Sequence, residues 1–166
     1  PYGFQGGMAH MVTHAVMKIT LFFCAGAIMH QTGKEYIYEL KGVGRNMPFV
    51  FTCFTIGSAA VMGVPLLCGF VSKWRILTAA VSSMEPYALF GVAAILFSAF
   101  LTAVYLFSIV VKAFFRTEKV TEDRGNQDPN WYMKVPLVLL TTAMFVIAMY
   151  QRPFMAFLNE IASGIR

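Results

Sequence analysis

A chain of 166 residues that is 58% hydrophobic and 13% charged, with 16 Phe and 11 Met, departs far from the composition of soluble domains, about one quarter of which is charged. It reads as an integral membrane protein. Its net charge of +5 comes from cations dispersed through short loops rather than gathered on one face, which does not point to nucleic acid as a partner.

Pro1 is not an initiator residue, and residues 1–7 read as an interfacial turn entering a helix, so the chain is expected to be a fragment of a longer protein. Residues 8–29 form the first apolar run. At ~1.5 Å rise per residue they cover about 33 Å, enough for a hydrocarbon core about 30 Å thick. Within this run His10, His14 and Lys18 recur at i, i+4 and i+8, advancing about 40° per step, so they form one polar stripe along the helix. Lys18 sits near the middle of the run, too deep for its stem to reach either interface. It must face protein or water, and a proton-handling role follows. His10, close to one end, reads equally well as a packing residue or as part of that path.

Residues 30–47 are polar, broken by Gly33, Gly42 and Gly44, and form a loop. Pro48 suits a first helical position, and an apolar stretch runs from it to Ser82. A continuous helix of that length would measure about 52 Å, too long for a bilayer. Gly63, Pro65 and Gly69 interrupt its middle, which predicts a broken helix. Breaks at membrane depth are tolerated where their freed backbone groups line a cavity, and transporters use them as ion sites. Lys73 follows the break and is expected to handle the same ion as the stripe; Arg75, nearer the interface, reads as a snorkelling residue.

Residues 87–115 form a third span, in which Gly91, Ser98, Thr102, Tyr105 and Ser108 read as helix-packing contacts. After a charged loop, residues 135–150 form a short fourth span with Pro136 in its first turn. The tail, 153–166, places Phe154, Phe157, Leu158, Ile161 and Ile165 on one face and reads as an interfacial amphipathic helix. The expected fold over residues 1–166 is therefore all-α: a polytopic transmembrane bundle of four spans, the second discontinuous, plus the amphipathic helix. Lys and Arg crowd loops 30–47 and 116–134, which predicts that these face the cytoplasm and that the C-terminus lies on the outer side of the cell inner membrane. Cys24, Cys53 and Cys68 lack C-x-x-C spacing and read as packing residues. All eight acids lie in loops or at ends, so the intramembrane cations are expected to find some of their partners on helices outside this sequence.

The strings MAHMVTHAVMKITLFFCAGAIMHQTG, ELKGVGRNMP, IGSAAVMGVP and GFVSKW give the chain a family resemblance. It resembles the antiporter-like membrane subunits shared by respiratory complex I, membrane-bound hydrogenases and Mrp-type cation/proton antiporters. The match is specific over residues 8–77 and weaker beyond. The resemblance implies the last third of such a subunit, with His10, His14 and Lys18 on one helix and Lys73 on a broken helix, all members of an intramembrane file that moves protons or exchanges Na⁺ for protons. It also implies other membrane subunits as partners and no cofactor on this chain. Two departures stand out: the break carries Pro65-Leu66 where the family often has two prolines, and few residues follow the fourth span, which favours the Mrp-like or hydrogenase-like members over those with a long lateral helix. The alternative function is a metal- or haem-binding redox protein using His10 and His14 as an i, i+4 pair. A lysine one turn away opposes a bound cation there, and neither carboxylate nor thiolate completes a shell.

Overall fold

A computed structural model describes residues 2–83, 85–115 and 128–164. Among them every regular element is a helix: α1 Tyr2–Thr32, α2 Val43–Asn46, α3 Pro48–Met62, α4 Cys68–Ser82, α5 Pro86–Phe114, α6 Trp131–Met149 and α7 Gln151–Gly164, with a 3-10 turn at Ile37–Leu40. The all-α expectation holds. Within α1, α5 and α6 the stretches Gly3–Thr32, Tyr87–Phe114 and Trp131–Met149 are long and apolar enough to cross a membrane, and α3 is a shorter apolar helix.

α1 is the central element, packed on α3, α4, α6 and α7. Its buried face runs Gly6, Ala9, Thr13, Met17, Thr20, Leu21, Cys24, Ala27 and Ile28, mostly in steps of three and four residues. Many of these are small, as expected where apolar tails offer helices no hydrophobic drive and close backbone approach supplies the packing instead. The approach is tight at Gly6, where an added Cβ would stand 3.1 Å from Ile76 Cγ1, and at Gly57 of α3, where it would stand 3.1 Å from Leu21 Cδ2. Met11 and Phe22 on the opposite side are exposed. α5 is the peripheral span: Phe90, Phe97, Phe100 and Phe107 are exposed, whereas Leu106 and Ala113 are buried.

Several boundaries differ from the sequence-based expectation. α1 extends the apolar run 8–29 at both ends, so residues 2–7, expected in a turn, are helical. α6 starts at Trp131, and Pro136 therefore lies inside the helix rather than in its first turn. The tail helix is present, but its inner face is Met155 and Leu158, buried in a cluster with Ala9 against Met8, Val71 and Phe154. Phe157 and Ile161, expected on that face, are exposed, and Ile165 lies outside the described residues, as does most of the charged loop before α6.

Candidate functional site

The expected break is real and has two backbone causes. α3 stops at Gly63, whose φ of 94° is left-handed and whose N–H donates to the carbonyls of Ala59 and Ala60 at 3.1 Å. This is the usual glycine helix stop. Leu66 then turns the chain again with a φ of 78°, unusual for a residue with a side chain, before α4 begins at Cys68. Pro65 is exposed in the intervening turn. Gly69 is not part of the break: it lies in the first turn of α4. An added Cβ there would overlap the Ala60 carbonyl and reach within 3.0 Å of Met17 Sδ, so its missing side chain lets the second half-helix pass close to the first and to α1.

The last carbonyls of a helix have no helical partner. At the end of α3 one of them is used by Lys73, whose Nζ donates to the Val61 carbonyl at 2.6 Å and lies 3.4 Å from that of Met62. The ammonium thus sits at the negative end of the α3 dipole, where a cation is favoured.

On α1, His10 Nδ1 lies 3.0 Å from Ser72 Oγ, and Thr13 Oγ1 lies 3.2 Å from the same oxygen. This ties the polar stripe to α4 one residue before Lys73. The His10 and His14 rings are 5.6 Å apart, tilted by 41°. His10, His14, Lys18 and Lys73 all line one partly open cavity of about 500 Å³, lined also by Met17, Val61, Ile76 and the α5 residues Ser98 and Thr102 among others. All four residues expected to carry protons are therefore brought together, with His14 the most exposed and Lys18 half-buried. Among the described residues no group of three or more His, Cys, Asp or Glu is placed to hold a metal ion.

Sequence reasoning missed Ser72 and Thr13, and it assigned Ser98 and Thr102 to packing. The α5 pair did carry a signal, since two hydroxyls at i, i+4 among Ala94, Ile95 and Ala99 mark a small, wettable face. Ser72 carried none beyond its place beside Lys73.

Residues 1–102 match the family described as NADH:quinone oxidoreductase/Mrp antiporter, transmembrane. The chain belongs to this family. It is 36% identical over 148 residues to NADH-quinone oxidoreductase subunit L of Rickettsia felis, covering 88% of this chain and 22% of that protein. It is 48% identical over 71 residues to NADH-ubiquinone oxidoreductase chain 5 of Petromyzon marinus, covering 42% of this chain and 12% of that one. Among solved structures it resembles a chain of the membrane-bound sulfane sulfur reductase, an archaeal respiratory membrane complex, with TM-score 0.83, 30% identity, and coverage of 98% of this chain and 32% of that chain. A chain of the Mrp complex from Dietzia sp. DQ12-45-1b shares the fold, with TM-score 0.77, 18% identity, and coverage of 91% and 35%. The chain spans about a fifth, 22%, of the length of the subunit L relatives it matches. It is thus a membrane chain of the complex I and Mrp antiporter-like family, and the resemblance read from its motifs holds.

Proposed function

We propose that this chain forms part of a subunit that translocates protons, or exchanges Na⁺ for protons, along His10, His14, Lys18 and Lys73, in a complex I-like oxidoreductase, a membrane-bound hydrogenase or an Mrp-type antiporter. The observation that carries the proposal is the single cavity lined by all four side chains, with Lys73 seated on the opened end of a broken helix. Two lysines in one cavity repel when both are charged, so a proton arriving at one favours departure from the other. Ser98 and Thr102 supply hydroxyls that can hold water between them. In this reading His14 passes a proton between cavity water and Lys18, and Lys73 discharges beside the break toward the outer face.

The proposed setting is the cell inner membrane, with other membrane subunits around the cavity, loops 30–47 and 116–134 on the cytoplasmic side and the C-terminus outside. The decisive experiment is ion uptake by vesicles carrying Lys18→Met or Lys73→Met in the intact complex, with assembly checked in parallel. Strongly reduced uptake with normal assembly is expected. Normal uptake in both variants would overturn the proposal, and repeating the assay with and without Na⁺ identifies the coupled ion.

A further inference from the structure

Ser72 is a buried junction between α1 and α4. Its Oγ lies 3.0 Å from His10 Nδ1, 3.2 Å from Thr13 Oγ1 and 3.2 Å from the Gly69 carbonyl. Ser72 and Thr13 are 0% and 1% exposed, so these groups must satisfy one another. A hydroxyl has one proton to give and lone pairs to receive with, and a neutral imidazole has one N–H and one bare nitrogen. Thr13 has its shortest acceptor in the Ala9 carbonyl, at 2.9 Å, the common bond of a helical threonine to the preceding turn. Ser72 is left with one proton and three possible acceptors, Gly69 O, Thr13 Oγ1 and His10 Nδ1.

If Ser72 donated to Nδ1, the contact would fail whenever the ring became charged, because an imidazolium has N–H on both nitrogens. If Ser72 donates to Gly69 and accepts from Nδ1–H, the same bonds serve both the neutral and the charged ring.

We propose that Ser72 is a positioning residue for His10: it accepts the Nδ1–H, donates to the Gly69 carbonyl, and so holds the ring in the tautomer whose bare nitrogen is Nε2. His10 then gains and loses its proton at Nε2 alone. An N–H bond forms there when a proton arrives from the cavity, the same bond breaks when it leaves, and the Nδ1–H and the Ser72 hydroxyl keep their own protons throughout. Ser72 therefore lies outside the proton path and closes it on the side of the α4 backbone. The consequence for transport rests on the reading of His10 as a member of the file; the tautomer does not.

The test is nitrogen NMR of the intact complex with ¹⁵N-labelled histidine, the His10 signals being those lost in His10→Gln, together with proton uptake by the same preparations. Native His10 is expected as the Nδ1–H tautomer. Ser72→Ala should release the ring to a mixture of tautomers and lower uptake several-fold. Ser72→Cys keeps the volume with a weak acceptor and should do the same, which separates lost bonding from lost packing. An Nε2–H ring in the native protein would overturn the proposal, as would an unchanged tautomer in both variants. Normal uptake in Lys18→Met and Lys73→Met would instead remove the functional reading and leave the tautomer assignment standing.

Discussion

Lys73 Nζ donates to the Val61 carbonyl at 2.6 Å, so the first cation after the helix break closes the end of the half-helix before it. Under the proposed function this side chain has two tasks, holding α3 in place and carrying charge into the cavity. Lys73→Met should abolish most ion uptake and also cost about 1–3 kcal/mol, because a carbonyl that had a charged donor is left without one. Lys73→Arg separates the tasks: the guanidinium can still donate to Val61 O, but it holds its proton too tightly to release it. Stability close to native with uptake still lost is the expected result. Uptake restored by arginine would mean that Lys73 is structural.

The two histidines of the stripe should behave differently, because only His10 is tied to another helix. His10→Ala leaves Ser72 without its ring partner in a buried place and should cost about 1–3 kcal/mol of thermal stability. His14 is exposed to the cavity, so His14→Ala should leave stability within about 0.5 kcal/mol while slowing uptake more than His10→Ala does. Thermal unfolding and vesicle uptake measured on both variants decide it, and equal mild effects on uptake would make both histidines packing residues.

What could be read from the sequence was what a short window contains. A lysine in the middle of an apolar run is conspicuous wherever the run packs, and Gly63 with Pro65 marks a break without knowledge of the neighbours. Ser72 was invisible because its role depends on α1 passing within hydrogen-bonding distance of α4, 62 residues away from His10 in sequence. Gly69 was noticed for the wrong reason: glycine both breaks helices and admits close neighbours, and only the position of the Ala60 carbonyl tells which applies. The tail shows a third kind of gap. An amphipathic pattern defines a broad apolar arc, and contact with Ala9 and Val71 selects the Met155 and Leu158 edge of that arc over the Phe157 and Ile161 edge.

Gly69→Ala is expected to be among the most damaging small substitutions in the chain. The new methyl group would overlap the Ala60 carbonyl, a backbone atom with no rotamer to yield, and would crowd Met17. Overpacking of this kind costs about 1–3 kcal/mol or more. The variant should show reduced assembly of the complex on native gels, with Gly91→Ala, where an added Cβ meets nothing within 4 Å, as the control that stays normal.

The role of α7 is tested by Leu158→Ala and Phe157→Ala in parallel. Leu158 is 3% exposed and Phe157 is 60% exposed, so truncating the first should cost about 2 kcal/mol or more and the second far less. Limited proteolysis should cut near α7 sooner in Leu158→Ala. The opposite order would show that the helix binds through the Phe157 edge.

The break itself is best tested at Gly63. Its left-handed φ of 94° is costly for any residue with a Cβ, about 1–2 kcal/mol. A methyl group there would also lie 3.4 Å from Lys73 Cδ and 3.8 Å from Nζ, directly beside the side chain that reaches Val61. Gly63→Ala should therefore strain the helix end on which Lys73 is seated, lowering uptake although every ionisable residue is retained. Pro65→Ala should do much less, since Pro65 is exposed and the turns are made by Gly63 and Leu66 on either side of it. Cysteine accessibility at positions flanking the break, measured with uptake, follows both effects. Normal uptake in Gly63→Ala together with a strong loss in Pro65→Ala would show that the proline, not the glycine, maintains the opening beside Lys73.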